Sequence, residues 1–232
     1  MKNFLNQLKW QFVLLQRNNI VTISFAVTLI YGLALYFLRD VAYLDKVLIS
    51  LVLNDPSVIG YFFIALAIYT EVKHQILPAI FVSPLRVHDF LLSKLISISL
   101  IGTICSLGLA ISVRGLDFDI LQYTIGSLGI CLMSAALGLI MLTFTTDFLK
   151  FAMLSVPVFL TFINVPMLDY LGVFDMGLIK KFFPIQGSLD LLNHSITGVS
   201  ISYAYAYVSI VVMVAILYWG AYHLFTKKVV QQ

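Results

Sequence analysis

The sequence predicts an all-α integral membrane protein with six transmembrane helices, and two observations carry that reading. Of its 232 residues, 61% are hydrophobic and only 11% charged, where soluble domains carry roughly 25% charge. A mean hydropathy of +1.00 leaves more apolar surface than a soluble fold can cover with polar groups. The apolar residues also gather into six runs close to the roughly 20 residues that a bilayer core requires of a helix. Soluble globular, disordered, disulfide-scaffold and fibrous classes are thereby excluded.

The first element is residues 1–19. Phe4, Leu5, Leu8, Phe12 and Leu15 fall on one side of a 3.6-residue helix, with Asn6, Lys9 and Gln16 elsewhere. Such a segment lies in the membrane interface before the chain turns inward. The first span follows at 20–38. It starts too late and runs too long for the apolar region of a cleavable signal, and no A-x-A-like site follows it.

The second span has a soft start, at 47 or at 56, and ends at 69. Asn54-Asp55-Pro56 interrupts the apolar run. Proline fits the first turn of a helix, where its missing N–H is no loss. The expected helix therefore begins near Ser57, with 47–53 as a surface or re-entrant approach and Asp55 as a boundary cap. A carboxylate deep in the bilayer would cost roughly 2.5–3.5 kcal/mol, which makes the alternative for Asp55 a proton-coupling role.

Residues 70–94 come next. Pro78 ends or kinks the preceding helix, and Ser83-Pro84 reads as a new start, with serine as cap and proline at the first helical position. The product is a helix, a bend exposing Ile76, Leu77, Ile80, Phe81 and Val82, and a returning helix. Two readings fit an apolar knuckle of this kind: insertion into a partner's groove, or an amphipathic loop on lipid headgroups.

Spans three to five are expected at 95–113, 120–146 and 148–168. Ser134-x-x-x-Gly138 presents a small-residue face for close helix approach. Asn164, between Pro157 and Pro166, needs either an interhelical hydrogen bond or a water-lined surface. Residues 169–202 are too polar to span and too apolar for a plain linker, and read as an outer re-entrant segment, short helices broken at Gly172, Pro184 and Gly198 that dip into the outer interface. The sixth span is 203–225.

Charge orients the bundle. The side holding both termini carries Lys2, Lys9, Arg17, Lys73, Arg86, Lys94, Lys150, Lys227 and Lys228. The other carries Arg39, Lys46, Arg114, Lys180 and Lys181, together with eight aspartates. Nine basic residues against five place both termini in the cytoplasm.

Catalytic signatures are absent. No G-x-x-x-x-G-K-[ST], G-x-S-x-G or H-E-x-x-H occurs. Cys105 and Cys131 sit in apolar runs without metal or redox spacing. The net charge of +3 is too small to argue for nucleic acid.

The order of parts resembles the ABC-2 family of ABC-transporter membrane subunits. Glu71, then Val82-Ser83-Pro84-Leu85-Arg86, then Leu91-Leu92-Ser93-Lys94 is similar to that family's E…(V/T)(S/T)PL(R)…LLxK stretch. Asn54-Asp55-Pro56-Ser57-Val58-Ile59-Gly60-Tyr61-Phe62-Phe63 and Phe183-Pro184-Ile185-Gln186 resemble its fluoroquinolone-export permease subgroup. Val72-Lys73-His74-Gln75 departs from the family's commoner acidic-Gly pattern.

The resemblance implies a single transmembrane domain over 1–232, in a bacterial plasma membrane, working as the permease of an ATP-driven exporter. ATP and Mg would be bound by separate cytoplasmic ATPase subunits, with no cofactor in this chain. A second permease chain, identical or homologous, would complete the pathway. Glu71, Leu77, Pro78, Phe81, Val82, Ser83, Pro84 and Arg86 would then form the coupling helix seated in the ATPase. For a hydrophobic or amphiphilic substrate, Phe62, Phe63, Tyr69, Phe159 and Asn164 are the expected lining. Two other classes remain open from the residues alone. An ion-coupled secondary transporter needs an internal repeat, which is not discernible, and a non-transporting scaffold needs nothing that is absent.

Overall fold

The computed structural model describes residues 2–38, 43–73, 86–145 and 147–230. These residues form helices and short connections, with no strand among them. Six helices are long and apolar enough to cross a membrane: Ile20–Phe37, Leu44–Val72, Val87–Arg114, Ile120–Leu142, Phe148–Leu171 and Tyr203–Lys228.

Helix α1 (Lys2–Arg17) is separated from α2 (Ile20–Phe37) by Asn19, whose φ of 57° breaks the helix. Asparagine tolerates this left-handed conformation better than most side chains. Among the described side chains of α1, Gln11 and Leu15 are buried, whereas Leu5 and Trp10 are exposed. The inward face is thus rotated from the apolar stripe expected for an isolated amphipathic segment.

Helix α3 (Leu44–Lys73) corrects the reading of the second span: it is one helix, with Pro56 inside it. A proline within a helix removes a single backbone hydrogen bond. Here neighbouring side chains bond the same stretch of backbone: Asn54 Nδ2 donates to the Ser50 carbonyl at 3.3 Å, and the Ser57 hydroxyl to that of Leu53. Burial against the next two helices holds the rest. Asp55 is therefore no cap; it lies in the helix interior and is 6% exposed.

Helix α4 (Val87–Arg114) runs without a break from the returning segment through the expected span 95–113, so Lys94 lies inside it. Helix α5 (Ile120–Leu142) begins at Asp119, whose carboxylate accepts from the amides of Leu121 and Gln122, and ends short of the expected 146. Asp147 likewise caps α6 (Phe148–Phe159) by accepting from the Lys150 amide at 2.8 Å. A π-helical turn (Leu160–Asn164) joins α6 to α7 (Val165–Leu171), between Pro157 and Pro166. A 3₁₀ turn (Gly177–Phe182) and α8 (Gln186–Thr197) follow, then α9 (Tyr203–Phe225). Gly172 and Gly198 end α7 and α8 with φ of 80° and 72°, the left-handed closure that glycine permits. The expected breaks in 169–202 therefore occur.

The six spans are not equally buried. The most apolar windows of α3, α4 and α5 are 67%, 56% and 67% buried, against 22%, 28% and 17% for the first, fifth and sixth spans. The molecule is thus an inner layer of three helices with α8 wedged beside α5, and three outer spans. Glycine makes the inner layer tight. A Cβ on Gly138 would collide with the Tyr61 carbonyl oxygen, and one on Gly60 would lie 2.5 Å from that of Cys131. Helices α3 and α5 therefore touch backbone to backbone, the close approach that small residues allow in membranes.

Candidate functional site

The terminal end of the bundle, where α1 begins and the chain after α9 finishes, holds the strongest electrostatic feature. Lys94 Nζ donates to Glu71 Oε1 at 2.7 Å and to Gln11 Oε1 at 3.2 Å. Lys94 and Gln11 are 1% exposed and Glu71 is 4% exposed. The ammonium also lies 5.1 Å from the centre of the Phe90 ring. A lysine removed from water needs such partners, because an unpaired buried charge is strongly penalised. Three elements supply them: Gln11 from α1, Glu71 from the last turns of α3 and Lys94 from the early turns of α4. Glu71 and Lys94 flank residues 74–85, so the pair closes the base of that segment.

Two further contacts tie the same end together. The Tyr218 hydroxyl on α9 hydrogen-bonds His88 Nδ1 in the first turn of α4 at 2.5 Å, with Tyr222 edge-on to the same imidazole. Beyond α9, the Lys228 ammonium lies 3.7 Å from the Phe144 ring centre in the connection after α5. At the distal end, Arg114 forms a two-point pair with Asp45, its Nε donating to Oδ1 at 3.0 Å. Helices α3 and α4 are thus ion-paired near both ends.

Of the expected coupling residues, Glu71 and Arg86 are described. Arg86 is exposed and extended at the start of α4. Leu77, Pro78, Phe81, Val82, Ser83 and Pro84 lie outside the described residues. Gln11 and Lys94 were missed as partners. Lys94 was legible as a lone cation in an apolar run opposite Glu71; nothing in the sequence singles out Gln11.

The expected lining residues separate. Phe62 and Phe159 come together, their ring centres 5.6 Å apart, and Tyr61 and Phe151 complete the cluster between α3 and α6. Phe148 stacks on Phe151 and also meets Tyr69 at 6.0 Å, extending the aromatic row toward the terminal end. Phe63 falls elsewhere, against the cluster that contains Leu15, Ile20 and Ile59. Asn164 is half-buried in the π-helical turn, and its side chain makes no hydrogen bond among the described residues.

Two apolar clefts open on the flanks. One, of about 410 Å³, lies between α5, α6 and the distal segment and is lined by Leu137, Pro157, Val158, Thr161, Phe162, Phe183 and Pro184. The other, of about 430 Å³, lies between α2 and α4 over Gly32 and Gly108. Neither contains the expected lining residues.

The distal segment is held by its own polar contacts. Asp169 accepts from the Met176 amide at 2.8 Å and pairs with Lys180 at 3.6 Å. Gln186 donates to Asp190 at 2.8 Å. Burial pushes the Asp190 carboxyl above its ordinary range, against the pull of Gln186, Lys180 and Lys181.

Among the described residues no group of three or more His, Cys, Asp or Glu side chains could hold a metal ion. In comparisons with known proteins, the model of the fluoroquinolones export permease protein family matches residues 2–232. No curated protein matches the chain.

Proposed function

The chain belongs to the fluoroquinolones export permease protein family, and from that membership we propose that it is the membrane-spanning permease subunit of an ATP-driven exporter of amphiphilic molecules. The observation that carries this reading is the Gln11–Glu71–Lys94 clamp. It gathers α1, α3 and α4 into one unit at the base of residues 74–85. A push delivered to that segment would then move three elements together rather than bend one loop. Both termini and the 74–85 knuckle face the cytoplasm in this reading. Leu77, Pro78, Phe81, Val82, Ser83, Pro84 and Arg86 enter a groove of a separate ATPase subunit, which binds ATP and Mg.

A second permease chain completes the pathway, and the thinly covered first, fifth and sixth spans are the elements free to meet it or the lipid. The pathway runs beside the aromatic row of Phe62, Phe159 and Tyr69, with Asn164 as its polar point. Closing inward and opening outward are two packings of the same helices, selected by the partner's nucleotide state.

Co-purification from the native host in mild detergent, with partners identified by mass spectrometry, tests the proposal. An ATPase with a phosphate-binding loop should accompany the wild-type chain and be lost from the Pro84→Ala/Arg86→Ala double variant. A chain that purifies alone, from a host whose membranes hold no such ATPase, overturns the reading.

A further inference from the structure

Asp55 is the one carboxylate that the bundle buries without supplying an answer to it among the described residues. It is 6% exposed, and its Oδ2 is sealed from the surface with no hydrogen-bond partner. It stands at the level where α3 meets α4, since a Cβ on Gly102 would lie 3.6 Å from the Cα of the adjoining Pro56.

The titratable side chains in electrostatic contact with it are Cys105 on α4 and Tyr123 and Cys131 on α5, all of them groups that are neutral in their ordinary form. Cations lie far off along the helices. Lys94 and Arg114 are 8 and 12 residues from Gly102, which is roughly 12 Å and 18 Å of helix, and each is already paired with an acid at its own end. Helix α5 carries no charged residue, nor does α2. On α6 and α7, Lys150 is exposed and Asp169 is paired with Lys180. On α8, Asp190 is bonded to Gln186, and His194 to Val199 and Tyr203. On α3 itself, Asp45 is engaged by Arg114 and Glu71 by Lys94, while Lys46 is nine residues away.

A carboxylate in this position must be compensated by a cation, because an isolated ion is not stable in a medium that cannot solvate it. Three classes of cation come into question. A metal ion needs several oxygen or nitrogen ligands, and no cluster of three such acidic or histidine groups exists among the described residues. An amine-bearing substrate needs an opening, and the 6% of its surface that Asp55 leaves exposed is too little to admit one. A proton needs neither. It also converts the unpaired oxygen into a donor, and Pro56 leaves the Val52 carbonyl, within one turn on the same helix, without its helical amide.

We propose that Asp55 is a proton-binding site, holding a neutral carboxylic acid in the α3–α4–α5 packing and releasing its proton when α3 parts from α4 and α5. This goes beyond the exporter reading and does not depend on it.

Infrared spectroscopy of the purified full chain in lipid nanodiscs at neutral pH tests it. The wild type should show the carbonyl stretch of a protonated carboxyl, lost in Asp55→Asn and retained in Asp190→Asn. The native state binds a proton that the unfolded chain has released, so wild-type thermal stability should fall as pH rises from mildly acidic to alkaline. That fall should be smaller in Asp55→Asn. If Asp55→Asn does not fold, titration of the band in Asp190→Asn, which lacks the Asp190 carboxyl, decides: persistence past the ordinary carboxyl range supports the site, and loss within that range overturns it. A wild type with no such band at neutral pH, or a band that Asp55→Asn leaves in place, overturns it.

Discussion

Glu71 and Lys94 stand 23 positions apart in the chain and 2.7 Å apart in space, both nearly sealed from solvent. The chain between them carries residues 74–85, so their ion pair sets how far apart the two ends of that segment can stand. Removing one partner strands the other. Lys94→Met should destabilise the protein by about 3–5 kcal/mol, whereas Glu71→Leu/Lys94→Met should recover most of that loss. Thermal unfolding in mild detergent reads both. Equal losses in the single and double variants would show that Lys94 acts by packing rather than by charge.

The distal pair behaves differently because water reaches it. The Arg114 and Asp45 side chains are 33% and 34% exposed, and pairs of that kind contribute about 1 kcal/mol or less. Arg114→Ala should therefore lower the unfolding midpoint much less than Lys94→Met, and added salt should narrow the gap between Arg114→Ala and the wild type.

Gly138→Ala should be among the most damaging single-methyl changes. The new carbon would collide with the Tyr61 carbonyl oxygen, and neither backbone can yield without separating α3 from α5. Overpacking of this kind costs about 1–3 kcal/mol or more. Gly220→Ala is the control, because its nearest neighbour is the Ile140 side chain at 3.6 Å. Yield of folded protein from detergent extraction should fall for the first and not for the second.

Asn164→Leu separates transport from stability. Its half-buried side chain holds no hydrogen bond among the described residues, so its loss should change the unfolding midpoint little, within about 0.5 kcal/mol. Export of a fluorescent amphiphile from vesicles containing this chain and the proposed ATPase partner should nevertheless fall. Unchanged export would remove Asn164 from the pathway.

Asp190 gives the distal segment its own pH response. Burial raises its folded-state pKa, so stability from this group is greatest in acid and declines as pH rises through that raised value. Asp190→Asn can still accept from Gln186, and should lessen the decline without lowering the acid-side midpoint. Hydrogen exchange in 186–197 against pH would detect it.

The number of membrane helices was legible because hydropathy is a property of each segment alone. The caps Asp119 and Asp147 were not singled out from the sequence, although a cap needs only its own amides. The start of the second span was misread where local and tertiary signals disagree. Pro56 after Asn54-Asp55 is a good helix beginning in isolation, but packing against α4 and α5 carries the helix through it. Phe62 and Phe63 show another limit: neighbours on one helix, they point into different clusters, and only the rotation of α3 against α2 and α6 decides which. Gln11 was illegible because a glutamine on a charged amphipathic segment looks like surface until Lys94 is placed under it.

Helix α3 carries Asp45, Asp55 and Glu71, and the cations that answer the first and last of these both reside on α4. During synthesis α3 emerges first. A chain ending at Lys73 would hold Asp45 and Glu71 without the arginine and lysine that pair with them in the folded bundle. The two ion pairs that join α3 to α4 can therefore both be closed only once Arg114 has been added. The 41 residues from Lys73 to Arg114 separate the completion of α3 from the residue that closes the second pair, which makes the order of translation part of how this membrane protein is assembled.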